Sequence, residues 1–218
     1  RGGSADIPPF LRCMNMIGSD VENFTCPSCT SHDRERHLTL YLIASGVLNK
    51  MRGKNILHIA PEKNLRKLIF PLAKKYVMGD LYPAEQEIEK INLQKVDYPD
   101  ESFDFVIANH VLEHVENDIA ALNEIFRITR LGRYAILQTP YSNVLHHTFC
   151  DPGIKTEIAR LNAYGQEDHQ RLYGLDLPLR IQSSGFKSLI KKHSDLLSTV
   201  DSGKLGINPE EPFFLFQK

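Results

Sequence analysis

The stretch SFDFVIANHVLEHV, residues 102–115, decides the fold of this 218-residue chain. Its apolar run from Phe103 to Ala108 predicts a buried strand. Polar residues follow at once, and Asn117 with Asp118 predicts the cap of a long helix in which Ile119, Leu122, Ile125 and Phe126 share one face. A strand that leads directly into a helix is typical of an α/β protein with a parallel sheet.

The same alternation continues on both sides of this stretch. A helix is predicted from Asp33, and Pro71 is expected to shorten the helix that follows Asn64. Gly132 is expected to end the helix that begins after Asn117. Further strands are predicted at 55–59, 76–79, 89–93, 134–138, 187–191 and 213–217, with a helix at 178–184. This order implies a mostly parallel sheet covered by helices on both faces.

The composition limits the class of protein. Apolar residues make up 42% of the chain, charged residues 24%, and the formal net charge is −1. Such a balance argues against a dedicated nucleic-acid binder, which would carry a basic excess. No apolar run reaches the ~20 residues that span a bilayer, and no signal-peptide core is evident, so a cytoplasmic location is expected.

Two regions lack the strand and helix pattern. Residues 1–32 are interpreted as an N-terminal appendage to a domain at 33–218. Residues 141–174 are rich in His, Asp, Tyr and Gly and are interpreted as an insertion, because a long unpatterned segment in a compact domain is usually a functional loop or lid.

The order of elements and three strings resemble the class I S-adenosylmethionine-dependent methyltransferases, over about residues 54–218. The most specific string is ANHVLEHV, residues 108–115. LHIAPE, residues 57–62, and GQEDHQRLYG, residues 165–174, resemble a bacterial subset. The resemblance implies a Rossmann-like, mostly parallel seven-stranded sheet, an enzyme, and S-adenosyl-L-methionine as cofactor.

The cofactor residues are predicted at the carboxyl ends of the strands, where open α/β sheets bind ligands. Asp80, followed by Leu81, is placed to accept hydrogen bonds from the ribose hydroxyls. The resemblance implies Asp97 near the adenine amino group and Asn109 and His110 as pocket contacts. The first loop departs from the family because it has no glycine, so Ala60 is expected to allow close approach of the backbone and Glu62 to pair with the methionyl ammonium. Three residues keep an alternative: His58 is a buried, satisfied histidine, and Glu113 and His114 either contact the pocket or anchor the helix start.

The acceptor residues are predicted in the insertion. A hydroxyl acceptor needs a base, and histidine has a suitable pKa. His169 is the first candidate, with Asp168 as its orienter or as an alternative, and His146 is the second. Arg171, Tyr173 and His147 are candidate substrate contacts. The alternative is structural: Asp168 and Arg171 form an ion pair that pins the lid, and His169 caps a turn.

The segment CPSCTSHDRER, residues 26–36, carries two cysteines at the spacing of a zinc knuckle. Cys26 and Cys29, with Cys13, are candidate ligands of a structural zinc in a degenerate ribbon. Packed free cysteines are the alternative.

The expected reaction is methylation of a small molecule or a sugar or glycan acceptor, most simply on oxygen, in polysaccharide or natural-product biosynthesis. Two alternatives stay open: a methyltransferase acting on protein or nucleic acid, and a non-catalytic scaffold with the same fold. The neutral charge makes nucleic acid the less favoured partner, and the oligomeric state is left open.

Overall fold

The computed structural model of the chain describes residues 7–20 and 22–218. The strands are β1 (Met16–Ile17), β2 (Asn55–Ile59), β3 (Lys75–Asp80), β4 (Glu89–Lys90), β5 (Phe103–Ala108), β6 (Thr129–Ile136), β7 (Tyr141–Ser142), β8 (Lys187–Ser188) and β9 (Leu215–Gln217). The helices are α1 (Pro9–Cys13), α2 (Asp33–Ala44), α3 (Val47–Lys50), α4 (Lys63–Ile69), α5 (Asp118–Ile128), α6 (Glu157–Tyr164), α7 (Leu177–Gln182), α8 (His193–Leu197) and α9 (Ser202–Leu205).

Seven of these strands form one sheet in the order β4-β3-β2-β5-β6-β9-β8. The first five strands in that order run parallel to one another. Strand β9 runs antiparallel to both β6 and β8. The Rossmann-like α/β fold with a mostly parallel seven-stranded sheet is therefore confirmed.

Strand β5 lies at the centre of the sheet, and all six of its residues are buried. Its side chains alternate between the two faces, as the period of two in a strand requires. Val106 and Ala108 belong to the apolar cluster on one face, which includes α5, whereas Phe105 and Ile107 belong to the cluster on the other, which includes α2 and α4. The apolar run at 103–108 therefore supplies both halves of the core.

Some element boundaries differ from the sequence predictions. Helix α5 begins as predicted, with Asn117 Oδ1 accepting from the Ala120 N–H, but it ends at Ile128 rather than at Gly132. Gly132 lies inside β6 with a φ of 71°, and its N–H donates to the Lys218 carbonyl at 2.8 Å. The strand predicted at 134–138 therefore begins earlier, at Thr129, because this segment also pairs with the distant residue Lys218. Helix α4 ends at Ile69, where a 3-10 turn containing Pro71 begins.

The N-terminal segment packs against the insertion. Strand β1 pairs antiparallel with β7, and the Ser142 hydroxyl donates to the Met14 carbonyl. Leu11, Tyr164 and Leu172 form a separate buried apolar cluster between the two segments. We keep residues 1–32 as a proposed appendage, although residues 1–6 and 21 lie outside the described residues.

Within residues 7–20 and 22–218, no helix combines the length and the apolar character needed to cross a membrane.

Candidate active site

The carboxyl ends of the central parallel strands meet at one edge of the sheet, here called the carboxyl edge. Ile59, the last residue of β2, lies beside Gly79 of β3 on one side and Ala108 of β5 on the other. Ala60, Asp80 and Asn109 therefore come together as the first residues beyond or at the ends of three adjacent strands. Open α/β sheets bind their ligands at this edge.

Two of the residues at the carboxyl edge have left-handed backbones. Ala60 has a φ of 47° and His110 a φ of 54°. Their N–H groups donate at 2.8 Å, from Ala60 to the Gly79 carbonyl and from His110 to the Gln138 carbonyl. A left-handed conformation costs an L-residue about 1–2 kcal/mol, and such strain clusters at functional sites. Ala60 forms a turn at which glycine is the usual residue, and the side chain of Ala60 is exposed.

Glu62 is buried, and both of its carboxylate oxygens are engaged. Oε1 accepts from Asn109 Nδ2 at 2.6 Å and lies 3.9 Å from Arg34 Nε, while Oε2 lies 3.1 Å from His58 Nε2. Burial alone would raise the pKa of Glu62, but the His58 hydrogen bond and the charges of His58 and Arg34 lower it. The structure therefore argues against Glu62 as the partner of the cofactor ammonium, because its charge is already balanced inside the protein.

His58 has the buried, satisfied environment that was one expectation for it. Its Nδ1 lies 2.7 Å from the Tyr76 hydroxyl, and its Nε2 faces Glu62. His58 and Glu62 together support the loop that carries Ala60.

Asn109 presents a free acceptor at the carboxyl edge. Its Nδ2 is fixed by Glu62, and its Oδ1 is buried without a hydrogen-bond partner among the described residues. An unsatisfied buried acceptor costs about 1–3 kcal/mol. A ligand N–H or O–H group at this edge would satisfy it.

Asp80 ends β3 with its carboxylate beside the next turn. Its Oδ1 accepts from the Tyr82 N–H at 2.8 Å, which fixes the side chain at the edge. Leu81 is 41% exposed and Tyr82 is 81% exposed, so two large apolar surfaces lie open next to the carboxylate.

Asp97 lies away from the carboxyl edge, and this corrects the predicted adenine contact. The carbonyls of its neighbours Val96 and Tyr98 accept from Arg127, in the last turn of α5. That turn leads into the start of β6, at the opposite end of the sheet. Asn92, two residues after β4, is the polar side chain that follows this strand at the carboxyl edge, and sequence reasoning passed over it because it is not acidic.

His110 lies at the centre of a buried charged group. The Nδ1 of His110 is 3.5 Å from Glu113 Oε1, and the Nε2 of His110 is 3.5 Å from Glu211 Oε1. Burial alone would lower the pKa of His110, but the two carboxylates raise it to about 9. Burial alone would raise the pKa of Glu211, but His110 and His37 lower it to about 2. His110 is thus held as a cation between two anions. Glu211, one of these anions, was not among the residues predicted from the sequence.

The group extends from Glu211 toward a surface cavity. His37 Nδ1 lies 3.2 Å from Glu211 Oε2, and His37 Nε2 lies 2.9 Å from His193 Nδ1. His193 lines a cavity of about 520 Å³. The cavity lies at the carboxyl edge, because its wall includes Phe214, whose carbonyl accepts from the Leu137 N–H just beyond β6.

The segment after α6 brings His169 and Asp168 to the turn that follows β5. The His114 and His169 rings are 4.7 Å apart between centroids, and Asp168 Oδ2 lies 3.0 Å from His114 Nδ1. His169 Nδ1 lies 2.9 Å from the Tyr164 carbonyl. Asp168 therefore pairs with His114. The structural alternative, which paired Asp168 with Arg171, is wrong on this point.

Arg171 and Tyr173 are buried, and this corrects their predicted role as substrate contacts. Arg171 donates to the carbonyls of Leu112, Val115 and Glu116. The Tyr173 hydroxyl donates to Asp118 Oδ2 at 2.9 Å, and Arg180 pairs with the same carboxylate. Both side chains fix the insertion against the turn after β5, so their function is to position that turn.

His146 and His147 are both exposed, in the loop that follows β7. The carbonyl of His147 packs against Gly174, where an added Cβ would approach it to 2.9 Å.

The cysteines do not build the predicted zinc site. Cys26 is half-buried, Cys13 and Cys29 are exposed, and all are free thiols. In the described part of the chain, the only group of three His, Cys, Asp or Glu side chains close enough to share an ion is Glu113, His114 and His169. Among residues 7–20 and 22–218, Cys26 and Cys29 thus have no third ligand close enough to share an ion with them. The Cys29 sulfur instead lies 3.1 Å from the Ser31 hydroxyl.

Comparison with known proteins agrees with this geometry. The family model described as "Methyltransferase domain" matches residues 48–137, from α3 to just beyond β6. No curated protein matches the chain at a significant level. The match therefore covers the carboxyl edge and leaves the N-terminal segment, the insertion and the C-terminal strands outside it.

Solved structures share the fold at low sequence identity. An S-adenosylmethionine-dependent methyltransferase from Mesorhizobium loti is 16% identical with a TM-score of 0.52, covering 82% of this chain and 98% of that one. A counterpart from Archaeoglobus fulgidus is 13% identical with a TM-score of 0.52, covering 84% and 94%. The YcgJ protein from Bacillus subtilis is 15% identical with a TM-score of 0.52, covering 75% and 77%. These likenesses show the fold.

Proposed function

We propose that this chain is an S-adenosylmethionine-dependent methyltransferase and that it methylates an oxygen of a small-molecule or sugar acceptor. The match of residues 48–137 to the methyltransferase-domain model supports the first part of the proposal. The observation that carries the proposal is the meeting of Ala60, Asp80 and Asn109 at the carboxyl edge within that domain. The LHIAPE and GQEDHQRLYG strings support a further part of the proposal, that the chain belongs to a bacterial subset of the class.

The chemistry of the carboxyl edge suits the cofactor. S-adenosylmethionine carries hydrogen-bond donors in its ammonium, its ribose hydroxyls and its adenine amino group, and when bound it supplies an electrophilic methyl group on a sulfonium. The edge offers acceptors: the Asp80 carboxylate, the Asn109 Oδ1, which has no partner among the described residues, and the Asn92 Oδ1, which already accepts from the Gln94 N–H. A donor-rich cationic ligand and an acceptor-rich edge are complementary.

Each residue at the edge has a proposed task. The exposed turn at Ala60 lets the cofactor approach the backbone, Asp80 accepts from the ribose hydroxyls, and Leu81 packs on the adenine. Asn109 Oδ1 accepts from the cofactor ammonium in place of Glu62, which holds Asn109 instead. His110, cationic and buried, fixes the floor of the site through Glu113 and Glu211.

The acceptor is proposed to be small because the cavity lined by His193 has the size of a small-molecule pocket. Its volume of about 520 Å³ lies within the range of ligand pockets, ~300–1,000 Å³. Apolar walls from Tyr141, Ile190 and Phe214 surround the polar groups of Lys192 and His193. We place the reacting oxygen between this cavity and the segment that carries His169 and Asp168. His169 is the first candidate for the base that takes the proton of the acceptor, and His146 is the second. Methyl transfer then depends chiefly on alignment of the two reactants.

The free thiols support a cytoplasmic location as part of the proposal, since reducing compartments keep such cysteines unpaired.

Calorimetric titration with S-adenosylhomocysteine tests the cofactor site. We expect micromolar binding by the wild-type chain, and a loss of at least about 10-fold in Asp80→Ala, equivalent to ~1.4 kcal/mol. Asp97→Ala is the matched control, because it removes the same group at the far end of the sheet. Absence of binding by folded wild-type protein, or equal loss in both variants, would contradict the proposed site and favour a scaffold function.

Transfer of labelled methyl groups tests the acceptor class. Wild-type protein is incubated with labelled S-adenosylmethionine and with separate pools of hydroxylated small molecules and sugars, of protein, and of RNA. We expect label in the small-molecule pool, reduced by Lys192→Ala in the cavity wall and unchanged by Lys187→Ala on β8. Label confined to protein or RNA would overturn the choice of acceptor and leave the cofactor site intact.

A further inference from the structure

Three side chains outside the proposed cofactor contacts form a compact group of metal-ligand type. Glu113 and His114 lie in the turn Leu112–His114 after β5, and His169 lies beyond α6 in the insertion. One ligand atom from each side chain lies within 4.8 Å of the others. The group thus joins the carboxyl edge to the insertion.

Two atoms of this group are buried without a partner among the described residues. They are Oε2 of Glu113 and Nε2 of His169. Glu113 is 2% exposed and His169 is 5% exposed, so bulk water does not satisfy them. Each unsatisfied buried polar atom costs about 1–3 kcal/mol. Because one ligand atom from each side chain lies within 4.8 Å of the others, a single ligand between them would satisfy both atoms.

The other polar atom of each side chain is already fixed by a neighbour. His169 Nδ1 lies 2.9 Å from the Tyr164 carbonyl, and His114 Nδ1 lies 3.0 Å from Asp168 Oδ2. An imidazole that donates from Nδ1 to an oxygen keeps its lone pair on Nε2. Glu113 Oε1 faces His110 Nδ1 at 3.5 Å, which leaves Oε2 free. Metal-binding histidines almost always have such an outer partner, which sets the tautomer and the ring orientation.

We propose that Glu113, His114 and His169 bind a divalent transition-metal ion, with Zn²⁺ as the best fit. Two imidazoles and one carboxylate are a ligand set that zinc and its neighbours accept, whereas Mg²⁺ and Ca²⁺ prefer oxygen. Three protein ligands leave a position for water or for an acceptor oxygen. Asp168 acts through His114 and is a positioning residue. With the ion bound, His169 is a ligand and is no longer a candidate base. The ion ties the insertion to the turn after β5.

Titration of metal-stripped protein with Zn²⁺, without cofactor or acceptor, tests the site independently of methyl transfer. We expect one ion per wild-type chain. Glu113→Gln and His114→Ala should each weaken Zn²⁺ binding by about 100-fold or more, and Asp168→Asn by about 10–100-fold. His146→Ala, an exposed histidine of the same insertion, is the matched control and should bind as the wild type does. Circular dichroism establishes that each variant is folded.

A second readout identifies the ligands. Co²⁺ in place of Zn²⁺ should give visible d–d bands of a four- or five-coordinate site, without the intense thiolate charge-transfer band that cysteine ligands produce. The Cys26→Ser/Cys29→Ser variant should keep both the spectrum and the stoichiometry. The proposal is overturned if the folded wild type takes up no Zn²⁺, if the Glu113 and His114 variants bind normally, or if only the cysteine variant loses the ion.

Discussion

Asn109 donates from Nδ2 to Oε1 of Glu62 at 2.6 Å, and this bond leaves the amide oxygen of Asn109 buried without a described partner. Glu62, which the sequence analysis predicted as the partner of the cofactor ammonium, thus orients Asn109, the residue that has the free acceptor. The two roles can be separated by substitution.

Asn109→Ala removes the free acceptor at the carboxyl edge. We expect its affinity for S-adenosylhomocysteine to fall by about 10-fold or more, because a hydrogen bond to a charged group contributes about 1.5–3 kcal/mol. The measurement is calorimetric titration of folded protein. Asn49→Ala, which changes an exposed asparagine of α3, is the control, and equal affinities in the two variants would remove Asn109 from the site.

Ala60→Gly tests the left-handed turn after β2. Since an L-residue at this φ costs about 1–2 kcal/mol, and a new glycine loses more chain entropy, we expect the free energy of unfolding to stay level or rise by up to about 1 kcal/mol. Ala120→Gly, inside α5, should instead lower it by about 0.5–1 kcal/mol. Urea denaturation measures both. A loss at Ala60 as large as that at Ala120 would contradict the strain.

Glu211 predicts an acid-dependent loss of stability. Its folded pKa of about 2 lies below the ordinary value of 4.5, so its contribution is present above pH 4.5 and is lost as the pH falls toward 2. We expect Glu211→Gln to flatten the decrease in unfolding free energy over this range. The neighbouring Glu210→Gln, at an exposed position, should keep the wild-type slope. Identical slopes in all three proteins would refute the assignment.

Tyr173→Phe removes a buried hydroxyl from Asp118 without changing the ring. We expect a loss of about 1.5–3 kcal/mol in unfolding free energy, because the acceptor is a buried carboxylate. Tyr82→Phe alters a tyrosine that is 81% exposed and should stay within about 0.5 kcal/mol of wild type. A stable Tyr173→Phe variant with a raised KM for the acceptor would instead restore the original interpretation of Tyr173 as a substrate contact.

The parallel core was predictable because its signals are local. The apolar run of β5 and the Asn117 cap of α5 are each determined by residues that are close together in the sequence, and the order of the elements follows from them. Gly132 was misassigned for the opposite reason. Its conformation inside β6 depends on a hydrogen bond to Lys218, and nothing near Gly132 in the sequence indicates that partner.

The site was predictable only where a residue follows directly on a strand. The positions of Asp80 and Asn109 at the carboxyl edge were predictable in this way, and their roles stay predictions. Asp97 was misplaced because the path of the chain between β4 and β5 leaves no periodic pattern. Glu211 could not be found at all. It reaches His37 across 174 residues of sequence, and no motif surrounds it.

The pairing of β1 with β7 also constrains the order of folding. Met14 and Ser142 are joined by a hydrogen bond across 128 residues of the chain. During synthesis the N-terminal segment leaves the ribosome long before its partner, and closing so large a loop is slow on entropic grounds. The central strands between these two residues can therefore assemble first, so that the N-terminal segment joins the insertion on a sheet already formed.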